Sequence, residues 1–349
     1  MFDIIVVGAG GAGLTAAIAA KKAGAKVLVI CKTKAPFSSC TAYSGGGFTL
    51  ASGRVSANEH FAFSQDVGGN ISDPTLLEVL SQEGEAALRK IQSWGVNIRI
   101  GTNGHASVSH TAPKPVLGGG GLIRDLVNIA IEAGVSFLEN TVVTKIVKNG
   151  NDVVGVECIE WTTRKATFLN AKSVVLAGGG AGQIYARTDN PARITGDGYA
   201  LALEAGLALR DMEFVQFYPL GWHEEGFPTW MIGLQIIDTV RLTNARGEEF
   251  LADKLAKMGM SSGRKANLFG RDISARLVAE EASVGTVSLH LNELPQKEWD
   301  NPLLGELKKC YPKNTTPWER GAIRVSPVQH YFTGGVCIDA STRTSINGL

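Results

Sequence analysis

The stretch VVGAGGAGLTAA, residues 6–17, most constrains the fold, because it joins an apolar run to an alanine-rich segment through several glycines. Residues 3–7 are rich in β-branched side chains, as in a strand that is buried on both faces. Residues 12–23 contain alanine and lysine and no proline, which favours a helix. The sequence therefore predicts a buried strand that turns sharply into a helix.

The glycines Gly8, Gly10 and Gly13 have the spacing G-x-G-x-x-G. In this pattern the first glycine allows a tight turn, the second lets the backbone approach a pyrophosphate, and the third lets helix and strand pack closely. The anion lies on free amides at the positive end of the helix. The spacing predicts a dinucleotide site.

A second strand is predicted at residues 26–30, where an acidic residue normally follows to bind a ribose hydroxyl. This sequence has Cys31 and Lys32 at that place. The missing carboxylate argues against an ordinary NAD enzyme.

Length and composition limit the protein's class. The chain has 349 residues, which suggests two domains, and with 44% hydrophobic and 19% charged residues it can bury a large core. The net charge is +1 without a basic run, so nucleic acid and anionic membranes are poor candidates as partners.

The five cysteines are scattered and include no C-x-x-C motif; they are Cys31, Cys40, Cys158, Cys310 and Cys337. This usage favours a reducing compartment and argues against a metal site, either structural zinc or an iron–sulfur cluster held by this chain alone. A strand begins directly at the N-terminus, and no apolar run approaches ~20 residues. We therefore expect a cytoplasmic protein without a direct membrane span.

Helical periodicity covers residues 74–93 and 119–133, and strands are predicted at 135–138, 142–148 and 153–161. The segment AKSVVLAGGGAG, residues 171–182, repeats the pattern of an apolar run entering glycines, and we expect it beside the first strand. Residues 34–53 are predicted to be a loop without regular structure. The fold class is α/β, with a doubly wound and mostly parallel sheet. The predicted domains are 1–212, an inserted domain at 213–328, and a return to the first domain at 329–349.

Seven segments together resemble the flavoprotein subunits of succinate dehydrogenase and fumarate reductase, with L-aspartate oxidase as a cousin. They are VVGAGGAGLTAA, SCTAYSGGG, VVLAGGGAGQIY, ITGDGYALALEAG, DMEFVQFYP, GRDISAR and HYFTGGV, in the order of that family. The resemblance implies an FAD-binding domain with an inserted α+β capping domain that binds substrate. It also implies FAD in place of NAD.

The resemblance also assigns cofactor-binding positions. In these flavoproteins the second strand often ends in Ser-Lys, to which Cys31-Lys32 is similar, and Asp197 lies in a motif near the flavin. Asp197 alternatively serves only as a turn or helix-capping residue. The implied cofactor-binding residues are Gly8, Gly10, Gly11, Gly13, Cys31, Lys32, Ser39, Cys40, Thr41, Gly46, Gly47, Ala177, Gly178, Gly179 and Asp197.

Cys40 raises the question of how the flavin is attached. Membrane-linked members of the family have Ser-His-Thr where this chain has Ser39-Cys40-Thr41, and that histidine bonds covalently to the flavin. Cys40 either forms a thioether at the same ring methyl or is a small residue beside a non-covalent FAD. We expect the second arrangement.

Two residues are implied to act on the substrate. Arg271, in an Arg-Asp pair, matches the family arginine that transfers a proton while hydride moves to or from the flavin. His330 matches a histidine that binds a substrate carboxylate. Without the flanking motifs, Arg271 reads as a surface arginine and His330 as a core histidine.

Three departures from the family bear on the substrate. Tyr218 replaces the histidine of Gln-Phe-His-Pro, and the apolar residues 231–237 replace a segment whose acid and base relay protons to the catalytic arginine. Tyrosine cannot carry positive charge at neutral pH, so we expect a less anionic substrate. The third departure is the C-terminal part of the FAD domain, which is absent. We expect either a truncated product or a second polypeptide that completes the fold.

The sequence thus predicts an FAD-dependent oxidoreductase acting on a C–C or C–N bond next to a carboxylate or carbonyl. An alternative is an electron-transfer module that passes electrons to an iron–sulfur partner subunit. A scaffold that has lost its cofactor is a third possibility.

Overall fold

The computed structural model describes residues 1–35, 39–108, 118–300, 304, 307–308, 311 and 317–349. The strands are β1 (Phe2–Val7), β2 (Val27–Ile30), β3 (Gly47–Gly53), β4 (Ile98–Ile100), β5 (Asn103–Val108), β6 (Ser136–Leu138), β7 (Thr141–Asn149), β8 (Asp152–Glu160), β9 (Ala166–Leu176), β10 (Leu209–Arg210), β11 (Val215–Trp222), β12 (Leu242–Thr243), β13 (Val287–Leu289), β14 (Ile323–Phe332) and β15 (Gly335–Val336).

The helices are α1 (Gly11–Lys22), α2 (Cys40–Tyr43), α3 (Ala57–Val67), α4 (Pro74–Ser93), α5 (Gly118–Glu132), α6 (Asp197–Glu204), α7 (Leu251–Lys257), α8 (Gly263–Phe269), α9 (Arg271–Val284) and α10 (Pro317–Arg320). Short 3-10 helices occupy Gly182–Ile184, Leu234–Asp238, Leu291–Glu293 and Gln296–Asp300.

The chain folds into two compact units. The first contains residues 1–184, 191–213 and 334–349, and the second contains residues 185–190 and 214–333. Strand β14, which runs to Phe332, pairs with β11 as far as that residue and lies in the second unit. The sequence placed residues 329–333 in the first domain, because a strand pattern does not reveal which sheet the strand joins.

The first unit is built on a six-stranded sheet with the order β6-β2-β1-β9-β8-β7. Strands β6, β2, β1 and β9 are parallel, and β9, β8 and β7 form an antiparallel meander. This mostly parallel α/β sheet confirms the predicted fold class. Strand β9 lies beside β1, with Val7 opposite Leu176, as the shared apolar-to-glycine pattern predicted.

Both faces of this sheet are buried, which explains the uninterrupted apolar runs of its strands. Along β1, Val6 belongs to the core under α1 and α5, whereas Ile5 and Val7 belong to the core under α6. A separate antiparallel sheet, β3-β5-β4, packs on the side of α4.

The prediction that residues 34–53 lack regular structure is wrong. The side chain of Ser39 accepts a hydrogen bond from the Ala42 amide and so caps α2, and residues 47–53 form strand β3. Strand β3 pairs with β5, which lies more than 50 residues later in the chain, and no local signal reports such a pairing. Residues 36–38 lie outside the described part.

The second unit has a four-stranded antiparallel sheet, β11-β14-β13-β12, and helices α7 to α10. Its core contains the fully buried Trp222 and Trp299. Helix α9 packs against β11 and β14. This packing brings the first residue of α9 to the strands that carry Tyr218 and His330.

Candidate functional site

A cavity of about 280 Å3 lies in the first unit at the carboxyl ends of three parallel strands. Val7, Ile30 and Ala177 mark the ends of β1, β2 and β9 at its wall. The crevice at the carboxyl ends of parallel strands is where open α/β sheets bind ligands. The strand-to-helix turn of residues 8–12 forms one side of it.

The glycines of this turn have different structural roles. Gly8 has a φ of +112°, and a Cβ there would lie 2.3 Å from the Ala177 carbonyl oxygen. A Cβ on Gly13 would lie 2.1 Å from the Gly8 oxygen, so Gly13 permits close packing of α1 on its strand. Gly10 is extended, and the atom nearest to its would-be Cβ is the Ser39 Cβ at 3.6 Å. Protein packing therefore requires glycine at 8 and 13, whereas the space at Gly10 faces the cavity.

Lys32 and Asp197 meet at the cavity. The Lys32 ammonium lies 2.5 Å from one Asp197 carboxylate oxygen and donates to the Thr195 hydroxyl at 2.6 Å. Thr195 in turn donates to the other Asp197 oxygen at 2.8 Å. Asp197 is the first residue of α6, so it both starts a helix and pairs with Lys32.

Two cysteines line the cavity in different environments. Cys31 is buried at the end of β2, and burial, with a smaller contribution from Glu139, raises the pKa of its thiol to about 12. Cys31 is therefore a neutral group. Cys40 is exposed at the start of α2. Next to it, Thr41 accepts a hydrogen bond from the Gly11 amide at 3.2 Å.

Twelve of the fifteen predicted cofactor positions line this cavity: Gly8, Gly10, Gly11, Cys31, Lys32, Ser39, Cys40, Thr41, Ala177, Gly178, Gly179 and Asp197. The other three, Gly13, Gly46 and Gly47, do not line the cavity, and Gly13 lies behind the turn. Gly46, with a φ of +73°, packs on Gly118, and Gly47 packs beside His105. Sequence reasoning missed residues 141–143, Arg193 and Ile194, which also line the cavity. Residues 141–143 and Arg193 carry no motif, whereas Ile194 begins the ITGDG segment but was not singled out.

Arg271, at the start of α9 in the second unit, is held by oxygen acceptors. Its Nε donates to the Asn267 carbonyl at 2.7 Å and to the Asn267 side-chain oxygen at 3.3 Å, and its Nη1 donates to Gln216 Oε1 at 3.1 Å. The guanidinium also lies 5.2 Å from the centre of the Tyr218 ring. Gln216 is in the motif that contains Tyr218, whereas no sequence signal marked Asn267.

Tyr218 is buried, and its hydroxyl joins two other segments of the second unit. Its hydroxyl donates to Asn267 Oδ1 at 2.6 Å and accepts from the Leu234 amide at 2.8 Å, and burial raises its pKa. The acceptor of the Tyr218 hydroxyl is thus a side chain of the same unit. The ring edge faces His330, with centroids 5.5 Å apart.

His330 is paired with a carboxylate that the sequence did not single out. Its Nδ1 lies 2.7 Å from Asp189 Oδ2, and both side chains are largely buried. Asn190 donates from its side-chain nitrogen to Asp189 Oδ1 at 3.0 Å and to the His330 carbonyl at 2.8 Å. The second unit therefore brings Arg271 and His330 to the same tyrosine ring.

A second histidine of this unit, His223, accepts a hydrogen bond at Nδ1 from Arg187 Nη1 at 2.6 Å. Burial lowers the pKa of His223, and the charges of Arg187 and Arg324 lower it further. Burial also lowers the pKa of Arg187. His223 is thus held in its neutral form next to a cation.

Comparison with known proteins gives these sites a family context. A sequence profile described as the FAD binding domain matches residues 3–349. The chain belongs to the FAD binding domain family. The match covers almost the whole chain, and it includes both the cavity and the Arg271–His330 region.

Relatives in this family include known flavoproteins. A fumarate reductase (CoM/CoB) chain of Methanothermobacter marburgensis is 29% identical over 99% of this chain and 65% of its own length. The L-aspartate oxidase of Neisseria meningitidis serogroup B is 28% identical over 99% of this chain and 70% of its own. A solved structure of the E. coli quinol fumarate reductase matches all of this chain and 63% of that one, with 26% identity and a TM-score of 0.82. The chain therefore spans about two thirds of the length of these relatives.

The cavity fits the FAD that the family binds. The space at Gly10 is not needed for packing within the protein, and a pyrophosphate group can fill it at the N-terminus of α1. Lys32 also lines this cavity, where its ammonium is paired with the Asp197 carboxylate. FAD is the cofactor of this family, and the helix N-terminus at the cavity agrees with an anionic dinucleotide.

The described residues offer neither a metal site nor a membrane span. In the part of the chain that the structure describes, no cluster of His, Cys, Asp and Glu has the form of a metal site. None of the helices in the described ranges combines the length and apolarity needed to cross a bilayer.

Proposed function

We propose that this chain is an FAD-dependent oxidoreductase that moves hydride between the flavin and a C–C or C–N bond next to a carboxylate or carbonyl. The family match and the likeness to fumarate reductase and L-aspartate oxidase sequences support the reaction class. The observation that carries the proposal is the cluster in the second unit, where Arg271 and His330 flank Tyr218.

The cofactor would lie in the cavity of the first unit. The turn at Gly8, Gly10 and Gly11 would hold the pyrophosphate, and residues 177–179 would border the flavin. Bound FAD supplies the hydride acceptor or donor. We propose that FAD is held without a covalent bond and that Cys40 lies beside it.

Arg271 and His330 would contact the substrate. The guanidinium is held in a fixed direction by Asn267 and Gln216, so its remaining N–H groups are pre-oriented for a substrate oxygen. One of the two residues must also exchange a proton with the substrate, because hydride transfer at one atom requires proton transfer at its neighbour. Tyr218 cannot supply the positive charge that would hold a second substrate carboxylate. We therefore expect a substrate with at most one carboxylate.

A second candidate function is an electron-transfer module that passes flavin electrons to an iron–sulfur subunit. The observation in its favour is the apolar segment at 231–237, part of which forms the 3-10 helix Leu234–Asp238, in place of a proton-relaying acid and base. In that case Arg271 and His330 would be structural.

The first experiment is an absorbance spectrum of the purified protein, followed by acid precipitation. Flavin in the supernatant agrees with non-covalent binding, whereas a yellow pellet contradicts it. A protein that cannot be loaded with FAD would overturn the proposed function.

The second experiment separates enzyme from electron carrier. The bound flavin is reduced chemically without oxygen, and its reoxidation is followed with fumarate, crotonate and a cyclic imino acid as acceptors. Reoxidation by one of them at a rate that depends on Arg271 and His330 supports the enzyme. Reoxidation only by one-electron acceptors, unaffected by Arg271→Gln, supports the electron carrier.

A further inference from the structure

The fixed contacts of Arg271 make it a poor proton carrier in this chain. Its acceptors are the backbone and side-chain oxygens of Asn267 and the side-chain oxygen of Gln216. Neutral amide oxygens orient a guanidinium but do not take up its proton, and the acid and base that relay protons to the corresponding arginine of related proteins are replaced here by the apolar residues 231–237. Arg271 is therefore suited to hold a substrate oxygen and to stabilise negative charge on it.

His330, in contrast, has the partner that a proton-transfer group needs. Its Nδ1–H donates to Asp189 Oδ2 at 2.7 Å, and only 17% of the His330 side chain and 12% of the Asp189 side chain is exposed. Among the described residues no hydrogen-bond partner is found for Nε2 of His330. A carboxylate at Nδ1 fixes the ring proton there, which leaves the Nε2 lone pair as the acceptor.

The backbone holds this pair rigidly. The Asp189 amide donates to the Gln329 carbonyl, and Thr188 forms an isolated bridge with Gln329, so the segment of residues 187–190 is tied to β14. The Asn190 side chain donates to the second Asp189 oxygen and to the His330 carbonyl. Both the carboxylate and the ring are thereby positioned from two sides.

We infer that His330 is the proton-transfer residue of this chain and that Asp189 is its positioning residue. The inference rests on the proposed function. In the oxidative direction the substrate loses a hydride to the flavin from one atom and a proton to Nε2 of His330 from the neighbouring atom. Asp189 stabilises the imidazolium, which then releases the proton to solvent. In the reductive direction His330 returns the proton, and Arg271 binds the carbonyl or carboxylate oxygen throughout.

This assignment favours a particular substrate class. A neutral imidazole removes a proton more readily from a carbon next to a carbonyl, or from a protonated amine, than from an unactivated carbon, because these protons are comparatively acidic. We therefore expect a mono-carboxylate or ketone with one saturated neighbouring bond, or a secondary amine, held by one oxygen at Arg271.

The first test measures the tautomer of His330 directly. Protein labelled with 15N-histidine is studied by NMR above pH 8, and the His330 ring signals are assigned by their loss in His330→Gln. We expect the proton on Nδ1 in the wild type. In Asp189→Asn we expect it on Nε2, because Asn190 donates to one oxygen of residue 189 and leaves the new amide NH2 facing the ring. A wild-type Nε2–H tautomer, or no change in Asp189→Asn, overturns the inference.

The second test measures proton transfer in the loaded protein. In reoxidation by whichever of fumarate, crotonate and the cyclic imino acid the wild type accepts, Asp189→Asn should lower the maximal rate about 100-fold and leave the apparent binding constant of the acceptor nearly unchanged. Asp189→Glu, which keeps a carboxylate, should recover part of the rate. The matched control is Asp253→Asn, the same chemical change at an exposed position of α7 in the same unit.

The outcomes separate the two proposals. If none of fumarate, crotonate and the cyclic imino acid reoxidises the wild-type flavin, the proposed function fails, and the tautomer measurement still decides the positioning role of Asp189. If the wild type reacts and Asp189→Asn reacts as fast as Asp253→Asn, the inference fails and the proposed function stands. Circular dichroism and flavin content of each variant show whether a lower rate reflects loss of folding.

Discussion

Gly8 and Gly10 belong to one motif, but a side chain would have different effects at the two positions. A side chain at Gly8 would collide with Ala177 and strain the backbone, so its replacement damages the fold itself. A Cβ at Gly10 would make only ordinary van der Waals contact with Ser39, at 3.6 Å, and we expect a larger side chain there to obstruct the space proposed for the pyrophosphate. We therefore predict that Gly10→Val removes FAD and leaves a folded chain, measured as flavin per protein and by circular dichroism.

The control for this prediction is Gly45→Val. A Cβ at Gly45 meets no atom within 4 Å, and Gly45 is not among the residues that line the cavity. This variant should keep its flavin. If Gly10→Val contains as much FAD as Gly45→Val, the pyrophosphate does not approach Gly10.

Arg271 offers a second prediction at the residue scale. Arg271→Gln removes the charge and the N–H groups that would hold a substrate oxygen, and turnover should fall about 100-fold. Arg271→Lys should recover little, because an ammonium lacks the planar fork that reaches both Asn267 and Gln216. Stopped-flow reoxidation of the reduced flavin measures both. Equal rates in Arg271→Gln and wild type would make Arg271 structural.

The residues of the second unit show which candidate site residues a sequence can suggest. Arg271 and His330 were proposed because each lies in a motif shared with a known family. Asp189 was not proposed because its partner His330 lies 141 residues further along the chain. Pairing between an aspartate and a histidine leaves no mark on local periodicity, so only the fold brings them together.

Tyr218 connects several elements, and removal of its hydroxyl should lower the free energy of unfolding. Its hydroxyl joins β11 to α8 through Asn267 and to the 3-10 helix Leu234–Asp238 through the Leu234 amide. Tyr218→Phe leaves the buried Leu234 amide without its partner and removes one of the two donors to Asn267 Oδ1, so it should lower the free energy of unfolding by roughly 1–3 kcal/mol. Urea unfolding measures the change. Tyr331→Phe, at a side chain that is 49% exposed, should change stability little, and equal losses in both variants would contradict the role of Tyr218.

His223, which directly follows β11, predicts a pH dependence. Its pKa is lowered in the folded protein, chiefly by burial and then by Arg187 and Arg324, whereas in the unfolded chain it is near 6.5. Below about pH 6.5 the unfolded chain therefore binds more protons, and the free energy of unfolding falls as the pH decreases towards the lower folded pKa. Urea unfolding between about pH 5 and pH 8 should show this slope in the wild type. His223→Gln should flatten it, and an unchanged slope would contradict the assignment.

Helix α4 and strand β3 show where element prediction succeeds and fails. Residues 74–93 were predicted as a helix, and α4 has those bounds, because Asp73 caps it and apolar residues follow with helical spacing. The loop predicted at 34–53 contains β3, whose glycines suggested irregular structure. Local signals were decisive for α4, whereas the partner strand β5 determines β3.

At the scale of the whole molecule, the chain has separate cores in its two units. The core with Trp222 and Trp299 belongs to the second unit, while the two cores on either face of the parallel sheet belong to the first. All residues that line the cofactor cavity belong to the first unit. Bound FAD should therefore contact, and directly stabilise, only the first unit.

The corresponding prediction is that FAD stabilises the first unit more than the second. At a free FAD concentration 100-fold above its dissociation constant, binding adds about 2.7 kcal/mol to the free energy of unfolding of the unit that binds it. Hydrogen exchange in moderate urea, read by mass spectrometry, should show slower exchange in the peptides of β1, β2 and β9 when FAD is added, with little change in β12 and β13 of the second unit. Gly10→Val should abolish the FAD-dependent slowing, because it removes the pyrophosphate contact without loss of the fold. Equal protection of both units by FAD would instead mean that they unfold as one cooperative body or that the second unit also binds the cofactor.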